Sequence, residues 1–145
     1  MHTPPPNGTL SVAAAIIWSV ALGSAAGGVA RYLVGGFVQR SAPGPFPYGT
    51  LLINVAGSLL LGFILRYALL TPGLSAEWRA GLTIGLCGGF TTFSTFSVEV
   101  VSLLESGDYK RAAVYIVVSV ALSIAAVVAG FALAQSLVGS PPSSD

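Results

Sequence analysis

Charged side chains are missing from four long stretches of this chain: Met1 to Ala30, Ser41 to Leu65, Ala80 to Val98 and Ala112 to Ser144. Hydrocarbon about 30 Å thick is crossed by a helix of ~20 predominantly apolar residues, at ~1.5 Å of rise per residue. Each charge-free stretch contains such a run. Four transmembrane helices are therefore expected at Leu10–Val38, Tyr48–Leu70, Arg79–Leu103 and Arg111–Val138. Composition agrees: 54% of the residues are hydrophobic and 8% are charged, against ~25% charged in a soluble domain.

A secretory signal peptide would need a basic leader and a short apolar core. Met1–Thr9 has neither Lys nor Arg, and the apolar run after it is too long. The net charge of +1 offers no basic field for nucleic acid. One His and one Cys cannot build a zinc site or a hydrolytic triad, so an enzyme is not expected. Cys87, alone in a membrane helix, reads as a small packing residue.

Proline and glycine mark the ends and the loops. Residues 1–9 and 139–145 read as disordered tails around one domain, residues 10–138, because the three loops are too small for a second. Ser75 is positioned to cap the third helix. Basic residues near helix ends normally select the cytoplasmic side. Here Arg66 and Arg79 lie on the side of the termini, and Arg31, Arg40, Lys110 and Arg111 on the other. Four against two is a weak bias, compatible with insertion in both orientations. Gly23 and Gly27, and Gly81, Gly85 and Gly89, have the small-xxx-small spacing of close helix contacts. These faces suggest oligomerisation, and a lone four-helix bundle leaves little room for an aqueous path.

Polar groups inside hydrocarbon cost several kcal/mol unless satisfied. Thr50, Asn54 and Ser58 fall on one face of the second helix, and Tyr115, Ser119 and Ser123 on one face of the fourth. Each stripe reads either as an uncharged track for an ion or water, or as interhelical hydrogen bonds worth ~0.6 kcal/mol each. The third helix carries Gly88-Gly89 followed by Phe90-Thr91-Thr92 at mid-span, poor helix material. A break there would expose carbonyls suited to a small cation; the alternative is a kink for close packing. Phe93 and Phe96 share a face, either as packing or with their positive ring edges turned to an anion. Glu99 and Arg31 are the ionisable residues nearest the membrane interior.

Three segments then resemble the signatures of the Fluc/CrcB fluoride channels, in the family's order. They are Gly27-Gly28-Val29-Ala30-Arg31-Tyr32, the run from Pro47-Tyr48-Gly49-Thr50 to Asn54-Val55-Ala56-Gly57-Ser58, and the long run Gly88-Gly89-Phe90-Thr91-Thr92-Phe93-Ser94-Thr95-Phe96-Ser97-Val98-Glu99. The resemblance implies an all-α membrane protein with a broken third helix, forming an antiparallel, dual-topology homodimer. It implies passive, fluoride-selective export across the cell inner (plasma) membrane through two pores per dimer. A structural sodium ion would be held by the Gly88 and Thr91 carbonyls of both subunits. The pore would be lined by Asn54, Phe93 and Phe96, a polar track of Tyr115, Ser119 and Ser123, and the polar positions Thr50, Ser94 and Thr95. Glu99 would lie beside the pore and Arg31 near a vestibule. The rival reading is a small dual-topology drug exporter. Such proteins usually carry an acidic residue in the first helix, and this first helix has none.

Overall fold

The computed structural model describes residues 6–139 of the chain. Helix α1 runs from Pro6 to Ser41, longer at both ends than the apolar pattern required. Helix α2 is Tyr48–Leu70, as its charge-free run dictates. The third span is built in pieces: α3 (Ala76–Ala80), a π-helical segment (Gly81–Cys87), α4 (Gly88–Phe90) and α5 (Phe93–Glu105). Helix α6 covers Tyr109–Val138. Four stretches are long and apolar enough to cross a membrane: Leu10–Ser41, Tyr48–Leu70, Ala76–Glu105 and Tyr109–Val138. The parts of the expected tails at residues 1–5 and 140–145 lie outside the described residues.

Side-chain caps mark the starts of α3 and α6. The Ser75 hydroxyl accepts the Trp78 N–H, and the Asp108 carboxylate accepts the Arg111 N–H, so each satisfies an amide that has no intrahelical partner. Gly107, at φ 78°, makes the tight reversal between α5 and α6 that a Cβ would hinder.

Glycine decides the packing. Methyl groups added at Gly23 or Gly27 of α1 would strike the backbone of Gly81, Gly85 and Leu86, or of Leu86, Gly89 and Phe90. Gly85 and Gly89 in turn lie against the backbone of Val20, Gly23 and Ser24. The two small-residue faces therefore pack on one another within a single chain, with α1 and the third span running parallel. This corrects their reading as an oligomerisation surface. In lipid, where burial gives no hydrophobic drive, such close approach supplies the dispersion contact that joins helices. Helices α2 and α6 form the second parallel pair, with Gly62 against the Val127 backbone and Gly130 against Leu59 and Phe63. Gly49 joins the pairs by lying on the Gly35 backbone. Leu103, Ala112 and Tyr115 are buried at the seam of α5 and α6, under Phe46, Leu51, Phe96 and Val100. Trp18, Leu22 and Ile84 face outward, as lipid-facing residues do.

Candidate functional site

The third span changes character at Thr91 (φ −78°, ψ 159°) and Thr92 (φ −152°, ψ 112°), which are extended. In a continuous helix the Thr92 N–H would donate to the Gly88 carbonyl. It donates instead to Asn54 Oδ1 at 2.8 Å, while Asn54 Nδ2 donates to the Thr92 carbonyl at 3.1 Å. The Thr92 hydroxyl accepts the Thr95 N–H at 3.2 Å and donates to Thr95 Oγ1 at 2.9 Å, so that it caps α5. Ser94 Oγ lies 3.4 Å from the same hydroxyl. On the other side of Thr92, the Thr91 N–H and hydroxyl both donate to the Cys87 carbonyl, at 3.0 Å each.

The carbonyls of the last turn of α4 thus lose their usual i+4 donors. Arg31 Nη1 stands 3.4 Å from the Thr91 carbonyl, which keeps a second lone pair. The Gly88 backbone is exposed on the surface of the single chain. Oxygen-only ligands at the negative end of a short helix are the donor set that suits a small hard cation. Among the described residues no three or more His, Cys, Asp or Glu side chains are grouped so as to hold a metal ion.

A cleft of about 230 Å³ opens beside this junction, lined by Asn54, Phe93, Phe96, Ser119, Val120, Ser123 and Ile124. Five of these are residues singled out in the sequence, from three helices. The Phe93 and Phe96 rings lie 5.7 Å apart at 40°. Phe96 also packs on Tyr115 at 5.1 Å. Phe93 is 79% exposed, and Ser94 and Thr95 beside it are exposed as well. The Ser119 hydroxyl is buried and has no hydrogen-bond partner. Ser58, from the expected α2 stripe, does not line the cleft.

Glu99 forms a separate cluster one turn along. Thr50 Oγ1 donates to its Oε1 and the Tyr115 hydroxyl to its Oε2, each at 2.7 Å. Thr50 and Tyr115 are both buried. Glu99 also faces a second opening of about 390 Å³, lined by Gln39, Pro45, Pro47, Ser102, Leu103 and Ser106. Gln39 braces the loop there: its Nε2 donates to the Phe46 carbonyl and its Oε1 accepts the Gly49 N–H, both at 3.1 Å. The sequence reading missed Gln39, whose position between a helix end and a proline-rich loop carried no pattern. It placed Thr92 at the expected break and did not foresee its capping role, although Thr is a recognisable cap at a helix start.

These features define a four-span helical membrane protein with an uncharged, largely apolar cleft near the middle of its spans, into which Asn54, Ser119 and Ser123 bring the polar groups. Residues 18–131 match the family described as "CrcB-like protein, Camphor Resistance (CrcB)". The chain is 48% identical over 121 residues to a protein of Geobacter sulfurreducens, covering 83% of this chain and 98% of that one. It is 46% identical over 119 residues to one from Rhizobium meliloti, covering 82% and 95%. A relative from Agrobacterium fabrum is 48% identical over 118 residues, covering 81% and 94%. All three bear the name "Fluoride-specific ion channel FluC". This chain belongs to the CrcB family, a family of channels rather than enzymes.

Proposed function

We propose that this chain is a fluoride channel that conducts passively and selectively, relieving the cytoplasm of fluoride across the inner membrane. The observation that carries the reading is the buried, unpartnered Ser119 hydroxyl at the cleft that Asn54, Phe93, Phe96 and Ser123 also line. A buried hydroxyl without a partner costs free energy, which an occupant that accepts a hydrogen bond from it would return. Fluoride is small and strongly hydrated, so it must exchange water for hydrogen-bond donors. The ring edges of Phe93 and Phe96 add weak positive potential without a formal charge. Many weak contacts let an ion enter and leave, where one fixed cation would retain it.

The exposed Phe93, Ser94 and Thr95 support an antiparallel homodimer in which a second copy completes each of two pores. The weak charge bias of the loops supports insertion in both orientations. A structural sodium ion between the two junctions fits the Gly88 and Thr91 carbonyls; when bound, it supplies positive potential at the dimer centre. Replacing sodium by a large organic cation throughout purification should then lower activity. The deciding experiment is efflux from liposomes loaded with fluoride, read by an electrode after an ionophore relieves the charge imbalance. Fluoride should leave quickly and chloride should not. Equal efflux of the two halides, or a strict need for a proton gradient, would defeat the reading.

A further inference from the structure

Two successive extended residues at mid-span leave a peptide unit without helical partners, in surroundings where water is scarce. Each unsatisfied backbone group there costs several kcal/mol. Asn54 removes most of that cost with one side chain. A carboxamide carries a donor and an acceptor in one plane, as a peptide does, and here both meet the same residue: Thr92 N–H to Oδ1 at 2.8 Å, and Nδ2 to the Thr92 carbonyl at 3.1 Å. The pairing also fixes the amide's orientation, because a flipped amide would set donor against donor and acceptor against acceptor.

The consequences run forward along the chain. Thr92, 6% exposed, is held by α2 and caps α5 with its hydroxyl. Helix α5 begins at the next residue, Phe93, and carries Phe96 one turn on. The placement of both rings against α6 therefore depends on where Asn54 holds Thr92. Gly57, one turn further along α2, admits the Thr91 side chain so closely that a Cβ would collide with it, and the Phe90 ring lies close beside it. Helix α2 thus grips both sides of the junction.

We propose that Asn54 is a positioning residue: it holds the Thr91–Thr92 junction extended and so sets the ring pair, while the second Nδ2 hydrogen remains for the cleft. The inference rests on the fluoride reading only for its functional arm. Pairing needs a donor and an acceptor together, which separates Asn54→Ala from Asn54→Asp. An ionised Asp sets two acceptors before Thr92 and repels its carbonyl. A protonated Asp again offers O–H and C=O in one plane. The ionisable groups around the junction are Arg31, at the Thr91 carbonyl, Cys87, whose carbonyl accepts from Thr91, and Glu99 with Tyr115, reached through Thr50. Wild type and Asn54→Ala, measured at each pH, account for their titration and for leak of neutral hydrogen fluoride.

The test pairs amide hydrogen exchange at Thr92 with fluoride efflux, on protein that elutes as wild type in size exclusion and keeps its helical content. In Asn54→Ala, protection of the Thr92 amide should fall by about two- to tenfold, the loss of one net hydrogen bond, and efflux should slow. In Asn54→Asp, both should be lost at high pH and recovered as the pH falls, with no recovery in Asn54→Ala. Unchanged Thr92 protection in Asn54→Ala would overturn the proposal and leave Asn54 as a cleft donor alone. So would an Asn54→Asp protein equally unprotected at every pH. If wild type fails to pass fluoride, the functional reading falls, and Thr92 exchange still decides the positioning role.

Discussion

Gly27→Ala should loosen the contact between α1 and the third span, whereas Gly28→Ala, one residue on, should not. A methyl at Gly27 would overlap the Leu86 carbonyl oxygen and stand 2.8 Å from Phe90 N and 3.1 Å from the Gly89 carbonyl carbon. All three obstacles are backbone, so no rotamer change relieves them and α1 itself must shift. A methyl at Gly28 meets nothing within 4 Å. Both substitutions gain the same helix propensity, roughly 1 kcal/mol, so that term cancels when the two are compared. What remains is the strain of overpacking, about 1–3 kcal/mol, with Gly28→Ala the more stable. Unfolding followed by far-ultraviolet circular dichroism in detergent measures the difference. Because Phe90 N adjoins Thr91, Gly27→Ala should also slow ion efflux. Two variants that unfold within about 0.5 kcal/mol of each other would show that the glycine contact has no role in holding the spans together.

Phe93→Ile should cut fluoride efflux sharply with little change in single-chain stability, because Phe93 is 79% exposed. Phe96→Ile should cut efflux and also destabilise, because its ring packs on Tyr115; Phe131→Ile, outside the cleft, is the control, and equal efflux from all three would assign the rings to packing. Tyr115→Phe keeps a fully buried ring but removes a 2.7 Å hydrogen bond to the Glu99 carboxylate. It should destabilise by about 1.5–3 kcal/mol, the range for bonds to charged groups; an unchanged unfolding midpoint would show that Glu99 is satisfied without it. In a Cys87→Ser background, Gly73→Cys in the exposed turn between α2 and α3 should react with an impermeant thiol reagent about half from each side of the membrane, and labelling from one side alone would reject mixed orientation.

Much of the site's membership was legible before any fold, because hydrocarbon makes each intramembrane polar group conspicuous. Thr50, Asn54, Ser119, Ser123 and Glu99 stood out on that ground. Their partners did not. Asn54 meets Thr92 across 38 residues of sequence and Thr50 meets Glu99 across 49, and no helical period relates residues on different spans. The glycine spacing at 23 and 27 announced close approach but was silent about the partner. A face of small residues fits a neighbouring chain as well as its own.

The sequence by itself determined the solvent of this protein, the number of its spans and their limits to within a few residues. A charge in hydrocarbon costs far more than any packing contact returns, so its absence over four stretches leaves one arrangement. Tertiary structure decided which polar groups stand free and which are already engaged. Hydroxyls of one chemistry end as partners of Glu99 at Thr50 and Tyr115, as a helix cap at Thr92, and buried without a partner at Ser119. That difference depends on which spans lie side by side, brought together by glycines that let backbones touch, and one-dimensional spacing carries no record of it.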